Sequence, residues 1–217
     1  MDMMPSRSTR PDQDLILAEH GAHNRETVSQ FIRNRFIKDH DANLTHLMPR
    51  LFSLSKADGQ MVAAFGLREA AVERLFMECY LDEPVEARIG RLAGRKVSRA
   101  GIIEVGNLAA DPGGARAMIA LLTRHLHELD FEWVTFTGVA RLRSAFRRLG
   151  LHPLEIAQAT PDRLSETERR AWGRYFESRP IVMAGHVTTG YRVLTRVARR
   201  RAAALAAMPV AAAAVAP

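Results

Sequence analysis

The sequence is arranged around Gly101-Ile-Ile-Glu-Val-Gly-Asn-Leu-Ala-Ala-Asp-Pro-Gly-Gly-Ala-Arg116. An apolar run over 102–108 is interrupted by Glu104 and by Gly106-Asn107, and this pattern predicts a buried strand with a bulge. The strand breaks at Asp111-Pro-Gly-Gly114. Apolar residues then recur at helical spacing. The segment therefore predicts a strand, a glycine turn and a helix in succession.

The glycine turn and the helix after it have the chemistry of an anion site. A helix N-terminus offers unpaired backbone N–H groups and the positive end of the helix dipole, which suit a phosphate or pyrophosphate. The spacing is neither a Walker A loop nor G-x-G-x-x-G. A tight left-handed turn without a ligand is the alternative explanation of the glycines. The residues that would bind the phosphate are Gly113, Gly114, Ala115 and Arg116.

The composition indicates one globular domain. The chain has 217 residues, of which 47% are hydrophobic, enough to bury a core without disulfides. Its single cysteine, Cys79, excludes an intramolecular disulfide and a cysteine-rich zinc site, which favours a cytoplasmic protein. No signal peptide or membrane-spanning run is recognisable. We expect a disordered lead over 1–14, a single domain over 15–190 and an Arg/Ala-rich C-terminal tail over 191–217.

The excess positive charge is concentrated in two arginine clusters. The formal net charge is +7, and such clusters can meet nucleic acid, anionic lipid or the phosphates of an acidic carrier or cofactor. Aromatic residues make up 6% of the chain and are not interleaved with basic ones, which disfavours nucleic acid. The first cluster comprises Arg141, Arg143, Arg147 and Arg148, and the second comprises Arg192, Arg196, Arg199, Arg200 and Arg201.

Strand and helix patterns alternate along the chain. Residues 15–18 predict a first strand, and residues 51–54 and 61–67 predict a hairpin with Asp58-Gly59 in its turn. Helices are predicted from Asn24 and over 69–76, 85–92, 118–129, 140–149 and after Ser165, and strands over 133–137, 154–157 and 180–186. We therefore predict the α/β (α+β) class, with a mixed central sheet, an antiparallel N-terminal hairpin and flanking helices.

The segment Leu142-Arg-Ser-Ala-Phe-Arg-Arg-Leu-Gly-Leu151 resembles the helix after the fifth strand of the Gcn5-related acetyltransferase superfamily. The hairpin, central strand, glycine turn and helix also follow that superfamily's order. The resemblance implies an acyl-CoA N-acyltransferase-like fold whose turn after the fourth strand holds the pyrophosphate of acyl-CoA. Glu104-Val-Gly-Asn-Leu-Ala109 is similar to a segment of the acyl-homoserine-lactone synthases, which take acyl groups from acyl carrier protein or CoA.

Four segments in the right order resemble the thermostable hemolysin family over the span 15–190. The family name records a lytic phenotype and not a mechanism, so we give more weight to the acyltransferase-like architecture. The four segments are Glu78-Cys-Tyr-Leu-Asp-Glu-Pro-Val-Glu86, Val97-Ser-Arg-Ala-Gly-Ile-Ile-Glu-Val-Gly-Asn-Leu-Ala109, Trp172-Gly-Arg-Tyr175 and Val182-Met-Ala-Gly185.

Three positions depart from the patterns of these relatives. Phe146 stands where many acetyltransferases carry the tyrosine that protonates the leaving thiolate, so that acid would be absent or come from elsewhere. Asp111 would repel a phosphate, although Arg116 could offset its charge. Asn107 occupies the place of an arginine in the lactone synthases. The departures favour a relative that transfers long acyl chains over an ordinary small-molecule acetyltransferase.

Glu104 is the candidate general base. A carboxylate within an apolar strand is costly to desolvate unless it is paired, and its pKa should rise toward values useful to a base. Attack on a thioester needs a deprotonated amine, and Glu104 could remove the proton directly or through water. The alternative is a structural ion pair with an arginine such as Arg99.

The predicted bulge provides the second candidate catalytic residue, Asn107. The bulge would expose backbone groups to the pantetheine arm of the donor, flanked by Val105 and Leu108, or to the thioester oxygen as an oxyanion donor. A polar side chain that only caps the bulge is the alternative interpretation.

An acidic cluster before the central strand is the candidate acceptor site. Resemblance to the lactone synthases and acetyltransferases implies that groups binding an amino substrate gather here, while a solvated acidic face is the alternative. The histidines lack a third partner at ligand spacing, so no metal is expected. The candidate acceptor residues are Glu78, Tyr80, Asp82 and Glu86, with Arg33 and Phe36 on the first helix.

These patterns predict an N-acyltransferase that moves an acyl group, expected to be fatty, from acyl-CoA or acyl carrier protein to a small-molecule amine. The arginines at 141–148 could dock an acidic carrier protein. The rival hypothesis is a membrane-active lytic or lipid-binding protein without transferase activity, whose C-terminal tail approaches anionic lipid from the cytoplasm. Phe146 also leaves room for a catalytically inactive binding domain.

Overall fold

A computed structural model describes residues 15–21 and 23–206. Their seven strands form one mixed sheet in the order β1-β2-β3-β4-β5-β7-β6. The strands are β1 (Ile16–His20), β2 (Arg50–Ser55), β3 (Met61–Glu69), β4 (Ile102–Ala110), β5 (Trp133–Gly138), β6 (Leu154–Gln158) and β7 (Ile181–His186). The α-helices are α1 (Arg25–His40), α2 (Val85–Ala93), α3 (Gly114–Glu128), α4 (Ala140–Arg148), α5 (Glu166–Ala171) and α6 (Val187–Ala206).

The pairing of the strands confirms the predicted class. Strands β1 to β4 are antiparallel neighbours and begin with the predicted hairpin, β2–β3. β4 and β5 are parallel, a step that requires a crossover, and α3 provides it. β5, β7 and β6 are again antiparallel.

The central strands bury both faces of the sheet. On one face, Ile32 of α1 packs with Leu51 and Ala109, and α2 packs over Ile102 farther along the sheet. On the other face, α3 packs against Phe65 and neighbouring residues. This double cover explains why β4 is an apolar run, since consecutive side chains enter opposite cores.

Two irregularities of β4 prepare the site. Its register with β3 shifts so that Asn107 and Leu108 lie opposite the single residue Phe65, which is the predicted bulge. Asn107 has a φ of 52°. The parallel ladder to β5 ends at the Val105–Phe136 pair, although both strands continue. The two strands therefore part beyond the bulge.

The helix predicted over 69–76 is wrong. This stretch forms turns, and a short 3-10 helix instead spans Phe76–Tyr80. The reason is tertiary: backbone N–H groups of Phe76 and Met77 donate to the carboxylate of Glu104, far along the chain. Hydrogen bonds to a distant carboxylate outweigh a local helix preference.

The last helix crosses the predicted start of the tail. Residues 191–206 continue α6, and its Val193 and Leu194 pack against Leu149 and Leu151. Residue 190, the predicted end of the domain, lies within this continuous helix. The domain bounds stay a prediction. The predicted lead over 1–14 and the tail residues 207–217 lie outside the described residues.

Gly173 allows the segment after α5 to dock on the end of α1. Its φ is 50°, and a Cβ at this position would overlap the carbonyl oxygen of Asp41. Backbone hydrogen bonds flank the approach, from Arg174 N to His40 O at 2.7 Å and from Asn43 N to Ala171 O at 2.7 Å. The docking brings Trp172 and Tyr175 against Phe36.

We expect Gly173→Ala to destabilise the protein more than Gly94→Ala. Gly94 also has a positive φ, 68°, but open space around its Cβ position. The control should therefore lose only the conformational preference, about 1 kcal/mol, whereas Gly173→Ala should lose a further 1–3 kcal/mol, roughly, through overlap with the backbone. Urea unfolding measures both. Equal losses would contradict the close approach.

Candidate active site

A cleft of about 1130 Å³ opens where β4 and β5 part. Its walls come from α1 and the loop after it, the bulge of β4, the N-terminus of α3, the end of β5, α4 and the segment after α5. Ligand sites of drug-sized molecules usually occupy about 300–1,000 Å³. The cleft is thus large enough for an extended ligand.

Glu104 lies at the floor of this cleft and is 3% exposed. Its Oε2 accepts the backbone N–H of Phe76 at 2.8 Å and its Oε1 accepts that of Met77 at 2.9 Å. Burial raises the pKa of Glu104 to about 7, although these two hydrogen bonds and the positive charge of Arg68 oppose the rise. Near neutral pH the carboxyl can therefore exchange a proton with a ligand.

The structural alternative for Glu104, an ion pair with Arg99, is wrong. Arg99 makes a two-pronged contact with Glu78, at 2.7 and 2.8 Å, and a third bond to Glu86 at 2.9 Å. Burial alone would raise the pKa of Glu78, but the bonds from Arg99 and from the backbone N–H groups of Val85 and Leu75 lower it to about 2. The two buried carboxylates therefore have opposite chemistry.

The side chain of Asn107 caps the bulge. Its Oδ1 accepts the backbone N–H of Met48 at 2.7 Å, as the capping alternative expects. Asn107, Val105 and Leu108 all line the cleft. Gly106 allows this arrangement because a Cβ there would overlap the side chain of Met48. The Oδ1 atom of Asn107 is therefore engaged within the fold.

The glycine turn lies at the cleft edge, as the anion-site prediction requires. Gly113 has a φ of 91°, and a Cβ on Gly114 would lie 2.7 Å from the carbonyl oxygen of Val62. Gly113, Ala115 and Arg116 line the cleft, whereas Gly114 does not.

The negative charge of Asp111 is balanced from α1. Arg35 lies 3.6 Å from it and also bonds Asp39 at 2.9 Å. Arg35 thus offsets the charge of Asp111 within the fold, and the offset by Arg116 toward a bound phosphate stays a prediction. Arg116 lines the cleft and makes no ion pair with any described residue.

The predicted acceptor residues separate into two groups. Phe36 and Tyr80 line the cleft, and burial raises the pKa of Tyr80. The structure does not bring the other four to it, because each has a partner elsewhere. Arg33 bonds the carbonyl oxygen of Leu44 and approaches Glu26, Asp82 bonds Arg163, and Glu78 and Glu86 bond Arg99.

An aromatic wall was not predicted. Phe76, Trp172 and Tyr175 line the cleft together with Phe36 and Tyr80. Ring centroids of Trp172 lie 5.9 Å from Phe76 and 4.8 Å from Tyr175. Two of these rings belong to the segment Trp172-Gly-Arg-Tyr175. In the sequence this segment supported the resemblance to the family, but nothing in it indicated that its rings line a cleft. Arg35 and Arg68 were also missed, since their role depends on strand register and helix packing.

The first arginine cluster lies partly at the cleft. Arg141 and Arg148 line it, as does Arg201 of α6. Arg143 instead approaches Glu155 at 3.3 Å, and Arg147 bonds Ser144.

Phe146 of α4 lies outside the cleft lining and stacks on Phe136 at 4.8 Å. The side chain at this position is therefore part of the apolar core beneath α4.

The sheet with its parted β4 and β5, the bulge and the helix N-terminus define an acyl-CoA N-acyltransferase-like fold. The chain belongs to the thermostable hemolysin family, whose pattern matches residues 18–191. No match was found among curated proteins.

The solved structures similar to this chain include three N-acyltransferases. FeeM, an N-acyl amino acid synthase from uncultured soil microbes, is 14% identical with a TM-score of 0.55 over 81% of this chain and 92% of its own. The acyl-homoserine-lactone synthase LasI is 10% identical, with a TM-score of 0.52 over 80% and 89%. MesI, a CoA-dependent acyl-homoserine-lactone synthase, is 15% identical, with a TM-score of 0.50 over 84% and 94%.

Neither a metal-binding cluster nor a membrane-spanning helix occurs among the described residues. Within 15–21 and 23–206, no cluster of three or more His, Cys, Asp or Glu side chains is placed to hold a metal ion. No helix in the same ranges has the length and apolar character needed to cross a membrane.

The bond between Glu78 and Arg99 should make stability depend on acid pH. Because the pKa of Glu78 is about 2 in the fold and 4.5 as the reference value, its contribution is complete above pH 4.5 and is lost as pH falls toward 2. The free energy of unfolding, measured with urea between pH 3 and 6, should fall more steeply with decreasing pH for the wild type than for Glu78→Gln. The difference between the two slopes should correspond to up to about one additional proton bound on unfolding. Glu128→Gln, at an exposed carboxylate, is the control and should show the same pH dependence as the wild type. If the unfolding free energy of Glu78→Gln had this same pH dependence, the bond between Glu78 and Arg99 would be contradicted.

Proposed function

We propose that this protein is an acyltransferase that moves an acyl group from a thioester donor to an amine. The observation that carries the proposal is Glu104, a buried carboxyl with a pKa near neutrality at the floor of a large cleft. A parted strand pair, a backbone bulge and a helix N-terminus surround the same cleft. The N-acyltransferases with similar folds support the assignment.

The reaction follows from this placement. The deprotonated carboxylate of Glu104 takes a proton from the acceptor amine, directly or through water, and the amine nitrogen attacks the thioester carbonyl carbon. In this mechanism, backbone N–H groups at the bulge of β4 stabilise the oxygen that becomes negative. The carbon–sulfur bond then breaks, the amide remains and the thiolate leaves. Phe146 cannot donate a proton, so the thiolate takes one from another group or from water.

The opposite end of the cleft suits a phosphorylated donor with an apolar acyl chain. The first turn of α3, with Gly113 and Ala115, offers backbone N–H groups to a phosphate, and Arg116 adds a positive charge. Beside them lie aliphatic side chains that can contact a hydrocarbon chain. These are Leu108, Met118, Leu142 and Leu149. We therefore propose acyl-CoA or an acylated carrier protein, with a fatty acyl group, as the donor.

The arginines of α4 suit a carrier protein as an alternative to CoA. Arg141 and Arg148 lie at the cleft, and Arg147 is exposed on the same helix. An acidic carrier docked on α4 would present its phosphopantetheine to the first turn of α3. The proposal keeps both donors, and activity with each distinguishes them.

Glu104→Gln should lower kcat/KM about 10²–10⁴-fold, because Gln cannot accept the amine proton. In the wild type, kcat/KM should rise with pH through a midpoint near 7, since only the ionised form of Glu104 acts as the base. Octanoyl-CoA and palmitoyl-CoA with a panel of amines, followed by mass spectrometry of the products, measure both effects.

Glu104 also holds the 3-10 helix in place, so the variant needs a separate test of folding. Thermal unfolding and the Kd for CoA should confirm that Glu104→Gln keeps its cleft. A folded, CoA-binding variant with wild-type activity would contradict the role as base.

Arg116→Glu should raise the Kd for CoA at least about tenfold, and more so at low salt, because a negative charge would face the donor phosphate. Arg124→Glu is the matched control on the same helix, since Arg124 is exposed beside Glu128 and does not line the cleft. Calorimetric titration with CoA measures both. Equal Kd values for the two variants would place the phosphates elsewhere.

A further inference from the structure

A second charged side chain shares the floor of the cleft with Glu104. Arg68 of β3 lies directly opposite Glu104 in the register of β3 and β4. Opposed residues of antiparallel strands place their side chains on the same face of the sheet. Both side chains line the cleft. An acid and a guanidinium are therefore neighbours at the point where the acceptor must enter.

Glu104 is not the partner of this guanidinium. Both of its carboxylate oxygens accept backbone N–H groups, and no ion pair joins it to Arg68. Among the described residues, the ion-pair partner of Arg68 is Glu73, whose side chain is 44% exposed and lies 3.4 Å from Nε. The Nε atom is buried and donates no hydrogen bond within the described chain. Arg68 therefore lines the cleft and has an N–H donor without an acceptor within the described chain.

The group that matches a guanidinium best is a carboxylate, which accepts two parallel N–H bonds. Glu104 takes a proton from an amine beside it. A molecule that satisfies both residues carries an amine and a carboxylate close together, as an α-amino acid does. The rings of Phe76, Tyr80 and Trp172 form an apolar wall for its side chain.

We propose that Arg68 binds the carboxylate of an α-amino acid and so selects the acceptor. The inference rests on the proposed acyltransferase function. The amine nitrogen of the amino acid forms the new amide bond with the acyl carbon, while the carbon–sulfur bond of the donor breaks. Of the two protons that the ammonium group loses, one passes to Glu104 and the other reaches the sulfur, directly or through water, so that the donor leaves as a thiol. The carboxylate takes no part in bond making and only fixes the amine above Glu104.

The test compares α-amino acids with their uncharged amides as acceptors. The twenty amino acids and their amides are offered with octanoyl-CoA to the wild type, Arg68→Met and Arg68→Lys, and kcat and KM are measured for the best pair. The wild type should prefer the amino acid, on the order of 100-fold in kcat/KM. Arg68→Met should reduce this preference to less than about threefold, through KM for the amino acid, when both acceptors are compared at a pH high enough to ionise Glu104 in the variant. Arg68→Lys should restore part of the preference.

Glu73→Gln is the control for the ion pair. It removes the partner of Arg68 among the described residues but leaves the guanidinium in the cleft, so the preference should persist. The pH profile is the second readout, because loss of the positive charge should raise the pKa of Glu104 further. An equal loss of activity toward amino acid and amide in Arg68→Met would overturn the proposal, since Arg68 would then act only through Glu104 or the fold.

Failure of the proposed function has a different signature. Calorimetric titration with the same amino acid, in the presence of CoA, measures acceptor binding without chemistry. Saturable binding that Arg68→Met abolishes, without acyl transfer by the wild type, would support the carboxylate site and contradict the acyltransferase. A wild type that acylates simple amines but shows no preference for a carboxylate would contradict only the role of Arg68.

Discussion

The architecture of the site depends on one constraint, the burial of the Glu104 carboxylate in the sheet. It accepts two backbone N–H groups from the 3-10 helix Phe76–Tyr80 and forms no ion pair with a described residue. Those two hydrogen bonds fix the segment Phe76–Tyr80 over β4 and so close one side of the cleft. They are too few to offset the loss of solvent, and the pKa therefore stays near neutrality. The same interaction thus shapes the cleft and gives it a titratable group.

A neighbouring carboxylate shows what a different environment does. Glu78 is also buried and lies on the 3-10 helix whose N–H groups contact Glu104. Arg99 contacts both of its oxygens and, together with two backbone N–H groups, lowers its pKa to about 2. It is a structural anion, whereas Glu104 is a proton acceptor. The structural carboxylate and the proton acceptor differ in their arginines, because Arg99 bonds Glu78 whereas Arg68, beside Glu104, lines the cleft.

Much of the fold followed from local patterns, because the bulged strand, the glycine turn and the hairpin each depend on residues close together in sequence. The site did so only in part. Glu104 was predictable as a charge in an apolar strand, but the structural partner suggested for it, Arg99, binds the acidic cluster before β4. The helix predicted over 69–76 does not form, because the N–H groups of Phe76 and Met77 donate to Glu104 of a strand distant in sequence. Arg68 could not be recognised until the β3–β4 register placed it opposite Glu104.

The measurement that tests the central claim most directly is the pKa of Glu104 itself. Titration of the side-chain carboxyl carbon by NMR in protein labelled at glutamate, with the resonance assigned by its absence in Glu104→Gln, reports this value without any substrate. We expect a midpoint near 7, well above the reference value of 4.5, and a higher value in Arg68→Met. A midpoint at or below the reference value of 4.5 would contradict this expectation, because Glu104 would then be a stabilised anion like Glu78.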